Sequence, residues 1–228
     1  MILKKLLRAL VCAGACAMAA TSASAAAVAW TDWTSIGGTS ATGTMNGVSV
    51  SVSSAVALDG VSQTGCGTNY WTQPNPAVPA YTGGTVSNAP TDCEQVGLNS
   101  PNRVTVTFGS AVDTLYMALL SIGQFGLPVT YDFDQSFVVD SNGVGYWSGG
   151  VTGGYSLGAG DVITMEEMHG VLRFSAPVTS LTFSTAPAEY WHAFTFGTTN
   201  GVPEPGSLAL TGGALLSLVW LRRRRDRR

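Results

Sequence analysis

The chain has 228 residues, of which 45% are hydrophobic and only 11% charged, against about 25% charged in an average soluble domain. Its formal net charge of −3 conceals a segregation: three basic residues lie within 1–8 and six within 222–228, while residues 26–202 carry twelve acidic side chains and two basic ones, Arg103 and Arg173. Such a body excludes a nucleic-acid binder, which needs clustered Lys and Arg facing phosphates, and the 28 Gly argue against a long helical bundle.

The N-terminus reads as an export signal. Lys4, Lys5 and Arg8 precede the uncharged run 9–20 and the small-residue site Ala23-Ser24-Ala25, which predicts a signal peptide over 1–25 with cleavage before Ala26. The apolar run falls short of the roughly 20 residues a spanning helix requires. Neither Cys12 nor Cys16 has Leu three positions earlier, so a lipoprotein signal is not indicated.

Residues 26–200 then have the size of one ectodomain with a sizeable core. Apolar residues alternate at Val48, Val50 and Val52, at Val104, Val106 and Phe108, and at Leu115, Met117 and Leu119, with further alternating runs at 129–133, 137–139, 171–174, 180–183 and 192–196. Period-two patterning bounded by Gly, Asn, Asp and Pro predicts strands with one buried face. Many such strands in one domain predict an all-β fold, an antiparallel sandwich of jelly-roll or immunoglobulin-like outline. Asn142-Gly143 reads as a tight hairpin turn. Residues 161–169 are the least strand-like, with room for one helical turn.

Two cysteines remain after signal removal, Cys66 and Cys93, and an even pair in an exported protein predicts a disulfide. Closing about 28 residues contributes on the order of 3 to 4 kcal/mol by the chain-entropy argument. The enclosed segment holds Pro74, Pro76, Pro79 and Pro90 with Gly83-Gly84, so it is expected to be an irregular excursion.

Motifs for chemistry are sparse. The nucleophile elbow, the H-E-x-x-H zinc motif and the phosphate-cradling loop are absent, and histidine is limited to His169 and His192, so a non-enzymatic protein is expected. Glu166 and His169 are spaced to share a helical face as metal ligands, with a solvated loop or strand edge as the ordinary alternative. Asp132 and Asp134 flank Phe133 and, with Asp140, form a weak Ca²⁺ candidate; the alternative is a polar outer face, and no other cofactor is indicated. Three Tyr-Trp pairs stand out: Tyr70-Trp71, Tyr146-Trp147 and Tyr190-Trp191. On a strand, adjacent rings point to opposite faces, which makes Trp71, Trp147 and Trp191 candidates for stacking on a sugar ring. Alternatively they close the ends of the core with their polar handles in water.

The chain ends in Val202-Pro203-Glu204-Pro205, an uncharged stretch over 206–221, and the cluster Arg222, Arg223, Arg224, Arg225, Asp226, Arg227, Arg228. Sixteen helical residues rise about 24 Å, slightly less than the roughly 30 Å hydrocarbon core, so the predicted transmembrane helix would thin the bilayer or snorkel its arginines. Those arginines act as a cytoplasmic stop-transfer block by the positive-inside rule. The prolines keep the backbone around Glu204 extended and stop a helix from entering it.

Motif, short apolar span and arginine cluster, in that order, resemble the PEP-CTERM sorting signal of Gram-negative bacteria. The resemblance covers 202–228; a weaker likeness to the closing strands of such ectodomains covers 171–197. It implies that an exosortase recognises Pro203, Glu204 and Pro205, after the general secretion machinery has left the precursor in the inner membrane facing the periplasm. It further implies a cell-surface or extracellular-matrix protein associated with exopolysaccharide and biofilm. The competing expectation is a secreted carbohydrate-binding module or carbohydrate-active enzyme on the same scaffold.

Overall fold

Fifteen strands account for the regular structure of the computed structural model, which describes residues 25–72, 79–90, 93–175 and 177–199. Among these residues no helix is long and apolar enough to cross a membrane. The PEP motif, the 206–221 span and the arginine cluster lie outside the described residues, as does the signal peptide up to Ser24.

The strands form two antiparallel sheets. One runs in the order β10 (Val138–Gly143), β13 (Met168–Phe174), β8 (Leu115–Ile122), β15 (His192–Thr199), β6 (Gln95–Leu98) and β5 (Asp59–Gln63), with β1 (Val28–Trp30) beside the far half of β15. The other runs β11 (Gly154–Leu157), β12 (Val162–Glu166), β9 (Val129–Phe133), β14 (Val178–Ala186), β7 (Asn102–Val112), β4 (Val48–Ser54), β3 (Ser40–Met45) and β2 (Asp32–Gly37). Eight of these strands pair in a nested way: β6 with β15, β7 with β14, β8 with β13 and β9 with β12. From β6 onward the chain therefore crosses between sheets at every connection but β11–β12, and several crossings collect at one end.

Between the sheets lies one core, in which Leu115, Met117, Leu119, Phe194 and Phe196 of one sheet meet Val104, Val106, Tyr131, Leu181 and Phe183 of the other. The predicted alternation is realised in β7, whose odd residues are exposed or half-buried down to Thr107 while Val104, Val106 and Phe108 are buried. It fails in β8, where all eight residues are buried. Their intervening side chains are apolar too, as a strand covered on both faces requires.

What covers the second face is the excursion between Cys66 and Cys93, whose Cα atoms are 4.9 Å apart across the disulfide. Trp71, Ala80, Tyr81 and Val86 pack on Tyr116, Ala118, Leu120, Val171 and Ala193 as a second, smaller core. Its irregular backbone is tied down by long-range polar contacts. The Asn88 amide brackets Val28, donating to its carbonyl at 2.9 Å and accepting from its N–H at 2.6 Å, and Ser141 Oγ donates to the Ala80 carbonyl at 2.7 Å.

Two local readings are corrected. Asn142-Gly143 is no hairpin turn but lies in β10, opposite Gly170 and His169: Pairing with β13 outweighs the local turn preference of Asn-Gly. Residues 161–169 hold no helical turn, because β12 is paired on both sides, with β9 and β11, and the chain then crosses directly into β13.

Replacing both cysteines by serine is expected to lower unfolding stability by about 3 kcal/mol. Urea denaturation of the two proteins checks this.

Candidate functional site

At the end where β8 finishes and β13 and β15 begin, an open groove of about 430 Å³ is lined by Ser121, Gln124, Phe125, Trp147, Glu167, Tyr190 and Trp191. Antiparallel pairing puts these segments together: Ile122 lies opposite Met168, and Leu120 opposite Ala193. The β8–β9, β12–β13 and β14–β15 crossings thereby share one rim.

The three Tyr-Trp pairs converge here from distant parts of the chain. Tyr70 packs on Trp147 at 4.6 Å between ring centroids, on Tyr146 at 5.2 Å and on Trp191 at 5.9 Å. Trp147 and Trp191 meet nearly at right angles at 4.5 Å. Tyr190 is 82% exposed and Phe125 is largely exposed, so the rim offers free ring faces. Trp71 differs from the other two tryptophans. It is only 2% exposed, donates from Nε1 to the Glu94 carbonyl at 3.2 Å and belongs to the second core, because the excursion turns it inward onto the sheet.

Polar groups make up the floor. Glu167 Oε1 accepts from Ser121 Oγ at 2.6 Å and lies 3.1 Å from His169 Nε2. On the other side of the ring, His169 Nδ1 accepts the Ser121 backbone N–H at 3.3 Å and lies 3.0 Å from the Tyr81 hydroxyl. A backbone N–H can only donate, so Nδ1 carries no proton and Nε2 does. In this arrangement Nδ1 only accepts, and the carboxylate beside Nε2 is the charge that Tyr81 feels. Burial, reinforced by that charge, holds the Tyr81 phenol well above its ordinary range, so Tyr81 remains a donor to Nδ1.

Local backbone geometry serves this floor. Ser121 and Glu167 both adopt left-handed conformations, with φ of 54° and 50°, which non-glycine residues rarely do and which recurs at ligand sites. Opposite His169 the chain runs close: a Cβ on Gly145 would lie 1.8 Å from the imidazole, so only glycine fits there. Glu166 takes a separate role and accepts the Gly126 N–H at 2.6 Å, which pins the loop carrying Gln124 and Phe125. Glu166 and His169 therefore do not share a helical face.

A second buried pair lies behind the floor. Glu189 Oε1 sits 2.5 Å from His192 Nδ1, with both side chains almost fully buried. Loss of water raises the Glu189 carboxyl above its ordinary 4.5, His192 opposes the rise, and Glu167 adds to it.

The acidic candidates are divided between the sheets. Asp132 and Asp134 flank a shallow depression with Arg103 on the outer side of the eight-stranded sheet, and Asp134 Oδ1 accepts the Thr182 N–H at 2.8 Å. Asp140 belongs to the seven-stranded sheet, where its Oδ1 accepts from Arg173 Nε at 3.0 Å and its Oδ2 accepts from Thr85 Oγ1. The chain changes sheets between Phe133 and Val138, which separates Asp140 from the other two. Among the described residues no group of three or more His, Cys, Asp and Glu is placed to hold a metal.

Sequence reasoning singled out Trp147, Trp191, Glu166 and His169 but missed Ser121, Gln124, Phe125 and Glu189. The last had a signal, since Glu189 and His192 bracket the Tyr190-Trp191 pair. Ser121 and Gln124 had none, being ordinary residues after an apolar strand. No family model, curated protein or solved structure matches this chain.

The raised Glu189 carboxyl sets a pH dependence. Above pH 4.5 the unfolded chain has released a proton that the folded chain still binds, so this group's contribution to stability falls as pH rises from 4.5 to the raised folded value. Glu189→Gln is expected to flatten that decline in Tm measured from about pH 4 to 8.

Proposed function

We propose that this chain is an exported, exosortase-processed protein of the cell surface or extracellular matrix, non-enzymatic, that binds exopolysaccharide through the aromatic groove. The observation that carries the binding role is the convergence of Tyr70, Tyr146, Trp147, Tyr190 and Trp191 around one open groove with a carboxylate in its floor. Exposed ring faces stack on the C–H faces of sugars, while Glu167, Gln124 and Ser121 supply the few polar groups that orient a ligand in such sites. Trp147 and Trp191 are thus the stacking residues, and Trp71 holds the scaffold.

The sorting role rests on the order of parts in 202–228 and on the export signal in 1–25. The nested strand pairing favours a jelly-roll outline over an immunoglobulin-like one, and lectin domains use that architecture. A glycosidase would require two carboxyl groups flanking the scissile bond. Glu167 lines the groove, but the Glu189 side chain is sealed from solvent, which favours binding over hydrolysis.

Replacing Trp147 and Trp191 by alanine is expected to weaken binding to the producer's own exopolysaccharide about tenfold or more in a co-sedimentation assay, with Tm unchanged within a few degrees. Full retention of binding would refute the groove. Independently, alanines at Pro203, Glu204 and Pro205 should leave uncleaved precursor in the membrane fraction on immunoblots, and normal processing would remove the sorting role.

A further inference from the structure

The charge and hydrogen bonding of the groove narrow the class of glycan it accepts, granted that it binds glycan at all. Glu167 Oε1 takes the bonds from both Ser121 and His169. The side chain is 10% exposed and lines the groove, and among the described residues Oε2 has no hydrogen-bond partner. A carboxylate held this firmly by one oxygen presents the other to a ligand as an acceptor. Because His169 accepts at Nδ1 and donates from Nε2, it supplies no opposing charge to the floor.

No described cation lines the groove. Arg173 is engaged by Asp140, and Arg103 sits beside Asp132 and Asp134 on the outer side of the other sheet. Glu189, buried behind the floor, adds to the negative potential when ionised. The rim adds ring faces of Trp147, Tyr190 and Trp191, which attract cations through their quadrupoles. A carboxylate beneath open aromatic faces is a combination that selects an ammonium group and repels an anion.

We infer that the groove selects glycans bearing free amino groups, such as stretches of de-N-acetylated hexosamine, and rejects uronic-acid or sulfated polymers. In the bound state the sugar ring lies on an aromatic face while its ammonium donates to Glu167 Oε2, a charge-assisted bond. A uronate in the same pose would set one carboxylate against another. Neutral N-acetylated sugars keep the stacking and lose the ionic contact.

The test is calorimetric titration of the full-length chain in mild detergent at about pH 6, where most hexosamine amines carry a proton. The titrants are a glucosamine hexamer, its fully N-acetylated counterpart and a uronic-acid hexamer. The glucosamine hexamer is expected to bind about tenfold tighter than the N-acetylated one, with no detectable uronate binding. Glu167→Gln keeps the acceptor for Ser121 and His169, so it should preserve Tm while abolishing the preference for the amine over the N-acetylated sugar. Raising the salt should shrink the preference in the wild-type chain. Uronate binding as tight as that of the amine, or a preference that survives Glu167→Gln, would overturn the selectivity and leave glycan binding intact. A lysine hexamer that competes as well as the glucosamine hexamer would overturn the assignment to sugars. If none of the three sugars binds, the glycan-binding reading falls with it.

Discussion

The covering of the second face of the seven-stranded sheet is the contact on which the rest of this molecule depends. Strands β8, β13 and β15 carry apolar side chains toward both sides, and a sandwich buries only one. Without a cover, Tyr116, Ala118, Leu120, Val171 and Ala193 would face water at about 25 cal/mol per Å² of apolar surface. The cover is a stretch with little regular structure, so its own backbone cannot hold it in place. The disulfide, the Asn88 bracket around Val28 and the Thr85–Asp140–Arg173 chain of contacts limit its freedom at separate points.

The same cover builds half of the groove. Tyr70 reaches Trp147 and Trp191 from the excursion, and Tyr81 supplies the hydroxyl beside His169 Nδ1. Folding and the shape of the groove are therefore coupled through one segment: the side chains that seal the sheet are neighbours in sequence of those that shape the groove. Trp71 and Tyr70 show the division, since the adjacent residues face opposite ways, one onto the sheet and one toward the rim.

Nested pairing supplies the other half. Crossings between sheets gather at one end, and there the chain turns sharply enough that Ser121 and Glu167 take left-handed conformations. Those conformations aim a hydroxyl and a carboxylate at one another, and the carboxylate also meets a histidine of β13. The imidazole is fixed from both sides, by donors to Nδ1 and by an acceptor at Nε2, so its tautomer is set by backbone geometry. A floor made in this way has one charge, held in a defined place, under a rim of rings.

Much of this was legible in the residues alone. Period-two alternation gave the strands and the all-β antiparallel class, because side chains on a strand point to alternate faces whatever the strand pairs with. The Cys66–Cys93 pair marked the excursion, and the repeated Tyr-Trp dipeptides marked the rim. The direction each tryptophan faces, the double burial of β8, the separation of Asp140 from Asp132 and Asp134, and the joining of Ser121, Glu167 and His169 were decided only in three dimensions. Tyr81 and His169 lie 88 residues apart, and contacts at that range follow from which strands pair across which sheet. Local patterning carries the period of a strand but not the identity of its neighbour, and the groove is made of neighbours.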